Sequence, residues 1–334
     1  MQKHSFPSRR TFAQPLAAVA MLFLTAAASL PLAHAQTFPS RPITLVVGYP
    51  PGGSNDLVAR MIAPRLEKEL GVTVVVDNRT GANGTIGAMH VIKSQPNGYT
   101  LLFSSASPIV LAPQTIVPRP FDTLKDLAGI NMVGLTPEAV TVGPKLKVKT
   151  LKEMLTLART QQITFASSGT GGLPHLTIEL LKQASKGNIL HVPYRGGGPA
   201  TADVLGGHVD GVVQDLAPLF GLINEGQLTA LAVTSKDRVE FLPNVPAASE
   251  ELPGFNVVNW LGVFAPAKTP ADVVAKIDKA LQKIVAQPDF RQQLHKVAIV
   301  PTVLDSPAEF QKFLNDEVNR WGDVIKNTDL TQKS

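Results

Sequence analysis

The sequence predicts an α/β protein built from two parallel-sheet units. Three observations carry that prediction: strand-like and helix-like runs alternate in two separate series, the strand runs are uniformly apolar, and many of the turns between them are rich in glycine, proline and serine. Uniformly apolar strands belong to sheets covered on both faces. The first series is Ile43–Tyr49, a helix from about Asp56 to Leu70, Val72–Asp77, a helix through Ala88–Lys93, and Thr100–Ser105. The second opens at Thr150-Leu151-Lys152-Glu153, a capping box in which the threonine oxygen and the glutamate satisfy free N–H groups of the first turn. It continues with Ile163–Ser168, a helix His175–Lys186, Ile189–Tyr194, a helix Pro199–Leu205, Val209–Asp215, a helix Leu219–Asn224 and Leu228–Thr234.

Extended segments Glu138–Gly143 and Asn259–Ala265 join the two units. Two helices follow, starting near Thr269-Pro270-Ala271-Asp272 and Ser306-Pro307-Ala308-Glu309, each with a hydroxyl cap, proline at the first helical position and an acid in the first turn. In the last helix Phe310, Phe313, Leu314, Glu317, Trp321, Val324 and Ile325 recur at helical spacing, a core-facing stripe with one polar member.

The first residues do not read as fold. Lys3, Arg9 and Arg10 precede the apolar run Leu16–Leu30 and then Ala33-His34-Ala35, the pattern of a signal peptide cleaved after Ala35. The run is short for a membrane-spanning helix. Ser8-Arg9-Arg10-Thr11-Phe12 also fits the start of a twin-arginine signal, so general secretion and twin-arginine export both stay open. Cleavage would leave 299 of 334 residues and lower the net charge from +5 to +2, with 28 basic against 26 acidic residues. A nearly neutral chain without a long basic run lacks the footprint of a nucleic-acid binder. With no cysteine, disulfides, thiol catalysis and cysteine-held metals are excluded.

In open parallel sheets ligands bind beyond the carboxyl ends of strands. Three such ends are rich in small residues: Tyr49-Pro50-Pro51-Gly52-Gly53-Ser54, Ser104-Ser105-Ala106-Ser107, and Ser167-Ser168-Gly169-Thr170-Gly171-Gly172 at a helix start. Glycine lets backbone approach a ligand, and the following helix offers unpaired N–H groups carrying partial positive charge. One such loop is an ordinary turn; two in equivalent places in two units read as an anion-binding cleft. No Gly-Lys-Ser/Thr follows either loop, the third dinucleotide glycine is missing, and neither loop carries Lys or Arg. Neutral donors suit a carboxylate. Each charge-assisted hydrogen bond contributes roughly 1.5–3 kcal/mol and each helix terminus about 0.3–1, enough together for micromolar binding at about 8 kcal/mol.

Asp56 has two readings: it accepts N–H groups of its own loop, or it meets a ligand amino group or a bridging water. His175 reads as a structural hydrogen-bonding histidine near the cleft, and His191 and His208 lack metal-ligand spacing. Tyr194-Arg195-Gly196-Gly197-Gly198 resembles another strand-to-helix loop, with Arg195 solvated or reaching a distal ligand group. Gln214 and Asp215 end a strand and are candidate side-chain selectors. For catalysis, Gly-x-Ser-x-Gly, Ser-x-x-Lys and His-Glu-x-x-His are all missing. Ser168, His175 and Asp215 could form a triad on paper, which keeps an exported serine hydrolase as an alternative.

With these residues in view, the chain resembles the tripartite tricarboxylate transporter receptor family, the Bug-type extracytoplasmic solute receptors. The resemblance runs through "FPSRPITLVVGYPPGGSNDLVAR", "VVVDNRTGANGTIGA", "PNGYTLLF", "TFASSGTGGLPHLTIELLK", "HVPYRGGGPATADVLGGHVD", "GQLTALAVTSKDR", "LPNVPAASE" and "SPAEFQKFLNDEVNRW". It implies a two-domain, type II Venus-flytrap periplasmic binding protein, with residues 36–138 and 262–334 in one domain, 139–261 in the other and a hinge between. It further implies a non-catalytic, periplasmic monomer that captures a small organic acid (dicarboxylate, tricarboxylate, amino acid or aromatic acid) and delivers it to membrane transporter subunits. No cofactor or metal is implied, and a ligand-sensing partner of a membrane regulator is the remaining alternative. Carried over by position, Tyr49, Gly52, Gly53, Ser54 and Asp56 match the family's first loop, and Ser168, Gly169, Thr170, Gly171 and His175 its second. Ser104, Ser105, Tyr194, Gln214 and Asp215 complete the expected ligand-binding set. The family commonly has an Asp-Asn-like pair where this chain has Gln214-Asp215, a departure at the distal end of the ligand.

Overall fold

The apolar run after Pro42 forms β1 (Ile43–Val47) between two parallel neighbours, β2 (Val74–Asn78) and β3 (Thr100–Ser105). The computed structural model describes residues 1–4 and 38–326 and the backbone of 332–333; the expected signal segment and its cleavage site lie outside the described residues. Helix α1 (Ser54–Leu70) crosses from β1 to β2, and α2 (Thr85–Ile92) from β2 to β3. Successive strand side chains point to opposite faces, so Leu45 and Val47 pack under α1 while Val46 packs with Ala88 and Val91 of α2. Each buried aliphatic side chain contributes roughly 1.5–3 kcal/mol. α1 ends on Gly71, whose φ of 74° lets its N–H reach the Glu67 carbonyl.

The sheet is mixed, which corrects the all-parallel expectation. The joining segments are two long antiparallel strands, β4 (Leu127–Val142) and β9 (Val258–Pro266), and β4 begins eleven residues before the expected Glu138. After β4 come α3 (Leu151–Leu157), β5 (Ile163–Ser167), α4 (Leu173–Ser185), β6 (Ile189–Pro193), α5 (Gly197–Leu205), β7 (Gly211–Asp215), α6 (Leu216–Asn224), β8 (Thr229–Val233) and β9 (Val258–Pro266). The strand order is β2-β1-β3-β9-β4-β7-β5-β6, with β8 also on β4. Up to Pro137, β4 pairs with β9; from Glu138 it pairs with β7 and β8. One strand therefore serves both halves of the sheet. Each half carries helices on both faces, and its core residues divide into two layers accordingly.

The helix starts follow local chemistry with two differences. Thr150 accepts the Glu153 N–H at 3.1 Å, but the Glu153 carboxylate accepts from Lys149, at 2.7 Å, instead of from Thr150. The chain ends with α7 (Ala271–Ala286), α8 (Pro288–Lys296) and α9 (Pro307–Lys326). Ser306 caps α9 as expected, accepting from Glu309 at 3.2 Å. Thr269 does not cap α7: its hydroxyl donates to the Pro266 carbonyl at 2.8 Å, and Pro270 holds the cap position. Glu317, the polar member of the α9 stripe, is buried because its carboxylate accepts the indole N–H groups of Trp260 and Trp321 at 3.1 and 2.9 Å.

Candidate functional site

The loops after β1, β3, β5 and β6 and the end of β7 converge where the two halves of the sheet meet. They line a partly open inner cavity of about 40 Å³, room for roughly three water-sized groups. Seven of the sequence-expected residues line it: Tyr49, Gly53, Ser54, Ser105, Ser168, Gln214 and Asp215. A wider outer mouth of about 680 Å³ is lined by Gly169, Thr170, Tyr194 and Arg195, and it shares Tyr49 and Ser168 with the inner cavity.

α1 begins at the cavity wall. Its N-cap is Gly53, in an extended conformation and without a capping side chain, and Gly53, Ser54 and Asn55 all line the cavity. Orphan amides of a helix start are donors with partial positive charge. A Cβ placed on Gly53 would meet no atom within 4 Å, so the space in front of this backbone is open. Across from it lies α5, whose N-cap Gly196 has a φ of 130° and whose first two residues, Gly197 and Gly198, also line the cavity. The apposition is close: a Cβ on Gly196 would lie 3.0 Å from Pro50, and one on Gly198 4.0 Å from the Pro51 carbonyl. Gln214 Nε2 donates to Thr201 Oγ1 at 2.8 Å, which brings Oε1 to 1.9 Å from where a Gly197 Cβ would stand. Glycine at 197 is what admits the Gln214 side chain.

Asp215 forms the floor with Asn259. Its Oδ2 accepts from the Ser54 hydroxyl, and its Oδ1 accepts from Asn259 Nδ2 at 2.8 Å. Burial pushes its carboxyl up to about 6, against the opposing pull of those two donors. Glu138, its register partner across β4 and β7, is fully buried. Burial and the Asp215 charge hold Glu138 well above the usual carboxylate range, so it is the neutral member of the pair. Burial, aided by Asp215, likewise keeps the Tyr49 hydroxyl protonated, and it donates to Asn83 Oδ1 at 2.8 Å.

The second glycine loop serves mainly to join the halves. Ser107 Oγ accepts the Leu173 N–H at 2.9 Å, Thr115 Oγ1 contacts the Gly171 carbonyl at 3.3 Å, and Asn83 packs over Gly169 and Gly172. His175 Nδ1 accepts the Gly171 N–H at 3.0 Å, and its ring stacks on His191 at 3.8 Å. Burial and the nearby Lys182 lower His175 to about 4, and burial followed by His175 lowers His191 to about 3. Both rings are neutral near pH 7, so the 3.8 Å approach of His175 to Glu179 is not an ion pair there.

Gly52, Asp56, Ser104, Gly171 and His175 line neither cavity. Both Asp56 oxygens are taken up by the protein: Gly52 N, Asn78 Nδ2 and Arg60 Nε all donate within 3.1 Å. Burial alone would raise this carboxyl, but these donors outweigh it and hold Asp56 below its ordinary value. Of its two readings, the loop acceptor is the one the geometry matches. Ser104 points to the other face of β3 from Ser105. Lining residues outside the expected set include Asn55, Ser107, Gly197, Gly198 and Asn259; Ser107 and the glycines carried a signal, in the Ser104-Ser105-Ala106-Ser107 strand end and the Gly196-Gly197-Gly198 run.

The paper triad does not assemble. His175 spends Nδ1 on Gly171, Asp215 binds Ser54 and Asn259, and the serine held by a histidine is the fully buried Ser167, 2.6 Å from His191. Among the described residues no three His, Asp or Glu side chains are grouped to hold a metal ion, and no helix is long and apolar enough to cross a membrane.

Comparison with known proteins gives a consistent result. A family model described as a tripartite tricarboxylate transporter family receptor matches residues 58–330. Protein BugT of Bordetella pertussis (strain Tohama I) is 34% identical over 317 residues, spanning 94% of this chain and 97% of that one. Among solved structures, the periplasmic binding protein BugD aligns with a TM-score of 0.83 at 32% identity, covering 89% of this chain and 100% of that one. MatC from Rhodopseudomonas palustris, solved with bound malate, aligns with a TM-score of 0.81 at 28% identity, covering 86% and 100%.

Proposed function

Because the chain belongs to the tripartite tricarboxylate transporter receptor family, solute-binding receptors with the two-domain α/β fold of periplasmic binding proteins, we propose that it captures a small carboxylate in the cleft and delivers it to a membrane transporter. The observation that carries this reading is the pairing of two glycine-capped helix starts, α1 after Gly53 and α5 after Gly196, on one cavity. Amide donors seat a carboxylate without a cationic side chain, and no Lys or Arg lines the inner cavity. The malate in MatC is a ligand of this chemical kind.

Movement follows from the same reading. The domains are residues 36–138 with 262–334, and 139–261, swinging about β4 and β9. Ligand bridging the two helix starts favours the closed arrangement, which the transporter reads as a shape. Residues 1–35 direct export to the periplasm and are removed, so the mature protein starts at Gln36.

Thermal unfolding against a panel of mono-, di- and tricarboxylates, amino acids and aromatic acids tests the reading. A cleft ligand at about 100 times its Kd adds about 2.7 kcal/mol, a rise of several degrees in Tm. If no acid raises Tm, the carboxylate reading is wrong.

A further inference from the structure

Asp215 has more accepting capacity than the protein uses. An ionised carboxylate offers about four acceptor sites, and Asp215 receives the Asn259 amide on one oxygen and the Ser54 hydroxyl on the other. It is only 8% exposed and lines the inner cavity. A second acceptor belongs to a residue of the same lining. Asn55 is 5% exposed and also lines the cavity; with its Nδ2 donating to Ser105 Oγ at 3.2 Å, its Oδ1 is buried without any hydrogen-bond partner. Native proteins rarely leave such an atom unpaired. The inner cavity thus combines a carboxylate and an orphan acceptor with no Lys, Arg or His in its lining.

Resting on the carboxylate seat argued above, we propose that the ligand is a small zwitterionic amino acid: its carboxylate docks on the amide starts of α1 and α5, its ammonium on Asp215 and Asn55 Oδ1, and Asp215 sets this preference. An ammonium carries three donors and a positive charge, and charge-assisted hydrogen bonds are about twice as strong as neutral ones. A hydroxyl offers one donor and no charge. The second carboxylate of an unsubstituted diacid would face the buried Asp215, where like charges repel strongly and one must take up a proton. Glu138, being neutral, offers the ammonium no rival charge.

The test compares matched trios by calorimetry on protein unfolded and refolded to remove any resident ligand: L-alanine, L-lactate and propionate, then L-aspartate, L-malate and succinate. The amino member of at least one trio is expected to bind tenfold or more tighter than its hydroxyl and unsubstituted counterparts. Asp215→Asn, checked for folding by its melting transition, should remove most of that advantage, leave propionate within about threefold of wild type and tighten succinate, whose second carboxylate no longer meets a like charge. Equal or tighter binding of the unsubstituted acids by the wild-type protein overturns the amino-acid assignment and leaves the carboxylate seat standing. An amino preference that survives Asp215→Asn overturns the role of Asp215. If no member of either trio binds and the wider acid panel also fails, the carboxylate seat falls with it.

Discussion

The starts of α1 and α4 carry the same sequence signature, a glycine pair beside serine or threonine after a buried strand, and the structure uses them differently. At α1 three consecutive residues, Gly53 to Asn55, open onto the inner cavity, and the acid of the first turn is tied back by Arg60, Asn78 and Gly52. At α4 the first amides are already engaged, Leu173 N by Ser107 and Gly171 N by His175. The position facing α1 is held instead by α5. A glycine-rich helix start therefore supplies donors, and its neighbours decide whether those donors meet a ligand or fasten the protein to itself.

Substitution of the facing glycines should sharpen this contrast most. Gly197→Val places a Cβ on top of Gln214 Oε1, so Gln214 must move; we expect a stability loss of about 1–3 kcal/mol together with loss of ligand response in thermal unfolding. At Gly53→Val the added Cβ meets no protein atom within 4 Å, and the position has a permissive φ of −83°. It should fold normally yet weaken binding of every carboxylate roughly tenfold or more, about 1.4 kcal/mol. Equal effects of the two on stability would break the comparison.

Ser107→Ala tests the fastening role of α4. It leaves the buried Leu173 N–H without its acceptor, which costs about 1–3 kcal/mol, read as a lower urea midpoint in ligand-free protein.

The two regions should also respond oppositely to pH. Behind α4, His175 and His191 titrate at about 4 and 3 in the folded chain against about 6.5 unfolded. The unfolded chain therefore binds more protons below pH 6.5, and stability is lost as pH falls from 6.5 toward 4. Asp215 titrates at about 6 folded against about 3.9 unfolded. The folded chain binds the extra proton there, so this group's contribution falls as pH rises from about 4 to 6. Asp215→Asn should therefore steepen the acid loss between pH 6 and 4, measured by urea midpoints at pH 7, 5.5 and 4.5. An unchanged slope would contradict the assignment.

The smallest effect is expected at Asp56. Asp56→Asn should lower stability by about 1 kcal/mol, since half of its ion pair with Arg60 faces solvent. Relative affinities among ligands should not change; altered preference would return Asp56 to the site.

Much of the fold was legible because strand and helix periods differ: β3 runs from Thr100 to Ser105 as read from sequence. The first part of β4 escaped notice because Gly129 and Gly134 interrupt its apolar pattern. Both glycines let neighbours approach, Leu314 and Phe310 in one case and Ile299 in the other. The antiparallel direction of β4 and β9 has no local signature at all. In the site, loop chemistry pointed to Gly53, Ser54, Ser168, Gln214 and Asp215, all of which reach the cavity. Asn259 could not be found this way, nor could the role of Ser107, because only the folded chain brings them beside Asp215 and Leu173.

At Pro137 and Glu138, β4 exchanges one set of partners for another without a break. Glu138 sits at that changeover, in register with Asp215. Any swing of the two halves about this point twists the strand that carries Glu138 and reorients the ladder holding Asp215. Sensing and motion would then be two ends of a single lever, with its fulcrum in the floor of the cleft.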